Sequence, residues 1–165
     1  MKRFLLCMLA TGLFGCAGFS GSDLIAGKSN SAEILRSMGD PAERIPGPGG
    51  VSVWFYPRGE GRHTYAVTVG PDGVLRSIDQ RLTRDNVYKL AAGTTTTREV
   101  RELIGPPSRV ARMSRQSRDV WEYRMQEGGV ELMILWVQFS DDGVVREVLY
   151  MRDPEMDKNS GASLP

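Results

Sequence analysis

The sequence predicts an α+β protein: two tandem repeats, each a short helix or helix pair followed by an antiparallel β-meander, with the helices on one sheet face. Three observations predict it. A helix-start pattern occurs twice, as Asn30-x-x-Glu33 and Thr96-x-x-Glu99. Each start is followed by a stop, Gly39-x-Pro41 and Gly105-x-Pro107. Each stop leads into runs rich in β-branched and aromatic residues, broken by turns at Asp72-Gly73 and Asp142-Gly143.

Taken in order, the first element is a segment to be removed before folding. Lys2 and Arg3 precede an apolar run over 4–14. At roughly 11 residues this run is short of the about 17–25 that span a bilayer, and it suits a secretory signal. Leu13-Phe14-Gly15-Cys16 resembles a lipobox, where signal peptidase II cuts before the cysteine and leaves it carrying lipid. Residues 1–15 are thus the expected lipoprotein signal peptide, with Cys16 the lipidation (palmitate) site. Residues 16–23 form the lipidated cysteine and tether. Ala17 follows the cysteine in place of the aspartate that retains lipoproteins at the inner membrane, which implies the outer one.

Removing Lys2 and Arg3 leaves 19 of the 21 basic residues against 20 acidic ones, a net charge of −1. Such a balance gives no basic excess for nucleic acid or an anionic bilayer surface. Cys16 is then the one remaining cysteine, so packing rather than disulfides holds the chain together.

The repeats occupy 24–82 and 83–151. Gly27 matches Gly93, Glu33 matches Glu99 and Ile34 matches Val100, all at an offset of 66. Trp54-x-Tyr56 matches Trp121-x-Tyr123 at 67, and Asp72-Gly73-Val74 matches Asp142-Gly143-Val144 at 70. A drift this small is what loop insertions leave in a duplicated domain. In each copy the capping box satisfies free N–H groups at the helix start, so helices are expected over 31–38 and 97–104. Glycine ends each one and proline forbids continuation. Ile34, Leu35 and Met38 stripe the first helix, and Val100, Leu103 and Ile104 the second. Strands are expected over 51–56, 64–69 and 74–80, then over 120–125, 130–139 and 144–151. Short strands at 43–45 and 109–113 complete the copies. Hairpin turns fall at 71–73, 127–129 and 141–143, and 46–50 is a loop. A further helix is expected over 84–91, where Val87 and Leu90 are three apart. The polar tail, 152–165, is expected to be disordered.

The pattern Gly-x5-Glu-[Ile/Val]-x4-Gly-x-Pro, then Trp-x-Tyr, then Asp-Gly-Val, resembles the BamE (SmpA/OmlA) outer-membrane lipoprotein family. It stands at 27–41, 54–56 and 72–74, and again at 93–107, 121–123 and 142–144. The resemblance implies small helix-and-sheet domains on the periplasmic face of the outer membrane, assisting the β-barrel assembly machinery. A tandem pair is also similar to the β-lactamase inhibitory protein, whose paired sheets form a concave binding surface. The BamE subunit generally has one copy, whereas this chain has two.

No catalytic set is legible, and the sequence predicts a non-enzyme without cofactor or metal. His63 is the single histidine, so no histidine metal cluster can form, and it reads as a turn residue. Asp141-Asp142 precedes glycine and reads as a turn, not an acid pair. Gly59-x-Gly61 lacks the strand–helix context of a nucleotide loop.

Aromatic residues are the better guide, because they often anchor protein contacts. Trp54, Tyr56, Trp121 and Tyr123 share one face in both copies and read as structural core. The opposite face carries Val53 and Phe55 in the first copy. In the second it carries Leu132, Ile134 and Trp136, ringed by Glu122, Arg124 and Gln138, provided Met133, Leu135, Val137 and Phe139 face the core. Apolar residues on an outer face mark either a partner surface or a face covered by the neighbouring repeat. Partner-binding candidates are therefore Phe55, Leu132, Ile134, Trp136 and Arg124. The expected function is a lipid-anchored scaffold or accessory binder in outer-membrane protein assembly or envelope maintenance. The alternative is an inhibitor or sensor module that captures a periplasmic protein on a concave sheet.

Overall fold

The computed structural model describes residues 21–127 and 131–154. The signal peptide, Cys16, the centre of the 127–129 turn and nearly all of the tail lie outside the described residues. The protein is a mixed α/β fold with two four-stranded antiparallel sheets and few helices.

In the N-terminal half, helix α1 (Ser31–Met38) precedes β1 (Glu43–Pro46), β2 (Ser52–Arg58), β3 (His63–Val69) and β4 (Leu75–Gln80). The C-terminal half begins with a single turn, α2 (Arg84–Val87). Helix α3 (Thr97–Ile104) follows, then β5 (Arg109–Met113), β6 (Arg118–Glu127), β7 (Glu131–Phe139) and β8 (Val145–Arg152). Strand order is sequential in both sheets. Helices α1 and α3 begin on complete capping boxes and end at Gly39 and Gly105. Both match the bounds that the sequence predicts.

Two expectations need correction. The helix over 84–91 stops at Val87, because Leu90 donates to the Val87 carbonyl and Ala91 to the Thr95 hydroxyl instead of continuing the ladder. The loop over 46–50 contains a 3-10 turn, Pro48–Gly50.

Alternation along the strands gives each sheet one face toward a helix. Ile34 and Met38 of α1 pack with Trp54, Tyr56, Val67, Val69 and Leu75. Val100 and Ile104 of α3 pack with Trp121, Tyr123, Leu135, Val137 and Phe139, joined by Leu82, Val87 and Leu90. The two halves then stack. The α3 corner at Gly105 presses on the far face of the first sheet. A Cβ placed there would lie 2.6 Å from Thr64 Cγ2 and 3.2 Å from Phe55 Cδ1. The resulting order is α1, first sheet, α3, second sheet. An ion pair between Arg101 and Glu43 at 2.5 Å crosses the junction. The connection is pinned as well: Gln80 Oε1 accepts from the Leu82 N–H, and its Nε2 donates to the Leu82 carbonyl.

Candidate protein-binding surface

One sheet face has no layer over it among the described residues: the outer face of the second sheet. Met133, Leu135, Val137 and Phe139 of β7 belong to the core around α3. Side chains alternate along a strand, so Leu132, Ile134 and Trp136 point the other way, and all three are half-buried. Register extends this face across the sheet. Trp136 lies between Glu122 of β6 and Leu149 of β8, and Ile134 between Arg124 and Met151. The face therefore has an apolar centre of Leu132, Ile134, Trp136, Leu149 and Met151, with Arg124 and Glu122 beside it.

Part of it is roofed by its own side chains. The Trp136 indole N–H donates to Glu122 Oε2 at 2.9 Å, which ties the ring down. Arg118 donates to Gln138 Oε1 at 2.8 Å. Val120 and Gln138 beneath are each 4% exposed. Gln138 is thus a covered floor residue rather than part of the expected polar ring. Between Trp136 and the edge strand lies a cleft of about 240 Å³, lined by Arg109, Ala111, Met113, Val120, Glu122 and Trp136.

Phe55 is not part of this surface. It is 1% exposed, packed beneath Gly105, so it serves the contact between the halves and is not an open anchor. The sequence placed it correctly on the far face of its sheet but could not show that α3 would cover it. Ala66, directly opposite Phe55 and fully buried, is the small residue that could have signalled a close approach.

Trp54, Tyr56, Trp121 and Tyr123 are all buried. Arginines lie over both tryptophan rings, Arg44 at 4.4 Å from Trp54 and Arg101 at 4.8 Å from Trp121. Burial raises the pKa of both tyrosines above the ordinary phenol value, so both stay neutral. The Tyr123 hydroxyl donates to the Gly105 carbonyl at 3.1 Å. The Tyr56 hydroxyl is buried without a hydrogen-bond partner among the described residues.

Elsewhere the polar groups serve turns and ion pairs. Asp141 pairs with Arg112 at 2.6 Å, and Asp142 caps its turn through Ser140 and the Val144 N–H. Among the described residues, no three of His, Cys, Asp and Glu lie together as a metal site would require. No helix among them is long and apolar enough to cross a membrane.

No family model matches the chain, and no curated protein matches it. The BamE resemblance therefore rests on the motifs alone. Among solved structures, the chain is similar to a candidate β-lactamase inhibitor protein from Streptococcus mutans. Identity is 9% and the TM-score 0.29, over 74% of this chain and 82% of that one. It is also similar to an extracellular protein containing a SCP domain from Bacillus anthracis, at 14% identity and a TM-score of 0.32. That likeness covers 97% of this chain and 52% of the other, so the chain spans about half of it. Superpositions this loose carry no argument about function.

Proposed function

We propose that this protein is a lipid-anchored, non-enzymatic binder that holds a protein partner on the outer face of its second sheet. In this reading the chain is exported, cut before Cys16 and lipidated there. It is held at the periplasmic face of the outer membrane, where it serves barrel assembly or envelope maintenance. The two halves are BamE-like copies of one unit. Their matched capping boxes support this, as do their matched bridges, Asn30 to Val74 and Thr96 to Val144.

The observation that carries the reading is the apolar centre of that outer face. An antiparallel sheet with one covered face ordinarily turns polar side chains outward on the other. Here the outward positions include Leu132, Ile134, Trp136, Leu149 and Met151, beside Glu122 and Arg124. The layer order supports the anchored geometry too. The described fold starts at Gly21, in contact range of Leu24, Met38 and Ile78 on the α1 side. An anchor on Cys16 would hold that side to the membrane and leave the second sheet facing the aqueous space.

Two variants test this reading. With Ile134→Ser and Trp136→Ser together, crosslinking in intact cells should lose its captured partner. Stability should fall by only about 1–2 kcal/mol, since both side chains are already half in water. A larger collapse of the melting temperature would place them in the core and sink the surface. Cys16→Ala should leave a folded protein that no longer fractionates with the outer membrane. Retention there would mean that lipid is not the anchor.

A further inference from the structure

The two sheets end on different edges. In the first sheet, β1 has four residues and closes on Pro46, which has no N–H to offer. Its Glu43 is tied to Arg101 of α3. In the second sheet, β5 is the outermost strand, and its residues 109–112 are all exposed. An edge of unpaired N–H and C=O groups templates another strand unless charged side chains, proline or a bulge guard it. The sequence Arg-Val-Ala-Arg-Met of β5 has no proline, and its two charged residues are Arg109 and Arg112. Val110 is 58% exposed on one side of the edge. On the other side opens the cleft of about 240 Å³ beside Ala111, Met113 and Trp136. Charge at this edge is selective. Arg112 is neutralised by Asp119 and Asp141 at 2.9 and 2.6 Å, and Arg118 lies 3.4 Å from Glu147. Arg109, at the rim of the cleft, stands across from Glu122, whose carboxylate holds the Trp136 indole, and the Arg109 side chain makes no ion pair among the described residues.

We propose that β5 is a docking edge that accepts an extended segment of another protein as a fifth strand of the second sheet. Main-chain hydrogen bonds to β5 hold the segment, and alternate side chains give specificity. One large apolar side chain fills the cleft beside Trp136. A carboxylate two residues away, on the same face, meets Arg109. The intervening apolar residue lies against Val110. This rests on the reading of the second sheet as the binding side.

The probe is the pentapeptide acetyl-Thr-Leu-Val-Asp-Thr-amide, with a control that has Lys in place of Asp. Each is added to the protein in detergent micelles while amide hydrogen exchange is followed by NMR. The acidic peptide should slow exchange at 109–113 by about tenfold or more, and bind at least about tenfold tighter than the lysine control. Arg109→Glu should reverse that preference. Val110→Lys should abolish protection while leaving the melting temperature in place. Unchanged exchange at 109–113, or equal binding of the two peptides, overturns the proposal. So does the same protection on concentrating the protein without peptide, which would make a second copy the occupant. Ile134→Ser lies outside the cleft and should leave peptide protection intact, so failure of the edge and failure of the face are read separately.

Discussion

Equivalent positions of the two sheets hold opposite side-chain pairs. Phe55 of β2 lies across from Ala66 of β3, and at the matching place Glu122 of β6 lies across from Trp136 of β7. In the first sheet the bulky ring sits beside a small residue, which leaves room for the Gly105 corner to land. In the second sheet a tryptophan takes the alanine's place and a charge takes the phenylalanine's. The face is thereby filled by its own side chain, and no helix among the described residues covers it. One backbone pattern thus yields an internal contact in one half and an outward surface in the other.

The sharpest way to break that comparison is at the two helix-ending glycines. Gly39 and Gly105 both have φ near +80°, with ψ −166° and −171°, a region that only glycine occupies readily. Alanine at either position costs about 1–3 kcal/mol for the backbone alone. Nothing lies within 4 Å of a Cβ on Gly39, whereas at Gly105 the Cβ collides with Thr64 and Phe55. Overpacking of that kind adds about 1–3 kcal/mol. Gly105→Ala should therefore lower the melting temperature by about 10 °C, and Gly39→Ala by about half of that. Equal drops would show that the halves do not press together at Gly105.

The hydroxyls of the paired tyrosines come next. Tyr123 donates to the carbonyl of Gly105, so Tyr123→Phe leaves a buried acceptor unmet and should cost about 1–2 kcal/mol. Tyr56 has the same place in the first half but a buried, unpartnered hydroxyl. There the corresponding helix end is met by Arg58, whose Nη2 donates to the Met38 carbonyl at 2.5 Å. Tyr56→Phe should be neutral or stabilising by up to about 1 kcal/mol. Chemical denaturation of the two variants decides the matter, and a loss at Tyr56 as large as at Tyr123 would contradict it.

These contrasts show which parts of the fold the sequence could convey. Helices α1 and α3 were legible because caps and stops are local: four or five residues carry the whole signal. That Met133, Leu135, Val137 and Phe139 share one side of β7 and Leu132, Ile134 and Trp136 the other was legible from the period of two; which side faces the core was not, because Gln138 is the one polar residue between Leu132 and Phe139. What covers a face is not local. Apart from the small Ala66 across from it, nothing around Phe55 encodes the arrival of Gly105, 50 residues later. The ion pair between Glu43 and Arg101 has no local signal either. The segment over 84–91 misled because a spacing of three between Val87 and Leu90 fits a turn as well as a helix. Of the candidate surface, the grouping of Leu132, Ile134 and Trp136 on one side could be read from the strand. The cleft could not, since β5 supplies half of it.

The smallest effect separates the two Asp-Gly turns. Asp72 and Asp142 each accept from the N–H two residues on, at 3.2 and 3.1 Å. Both carboxyls are held below the ordinary aspartate value: Asp72 first through that backbone N–H, and Asp142 first through the Ser140 hydroxyl. The first turn has Gly70 where the second has Ser140. The difference is steric, because a Cβ on Gly70 would lie 2.5 Å from Arg76 Nε, and Arg76 closes on Asp72 at 2.7 Å. In the second turn the serine takes that space, and Arg146 stays 3.7 Å from Asp142. A carboxyl whose pKa is lowered by folding stabilises the fold above its unfolded pKa. That contribution is lost as pH falls through the lower, folded value. Both turns should therefore loosen only in acid below the ordinary aspartate range. They should differ in salt dependence: the midpoint of Asp72 rises as salt screens Arg76, while that of Asp142 barely moves. Ser140→Gly should raise the Asp142 midpoint and give it the salt sensitivity of Asp72. Carboxyl-carbon NMR titrations at low and high salt would show this, and an Asp142 midpoint unmoved by Ser140→Gly would remove the serine from the account.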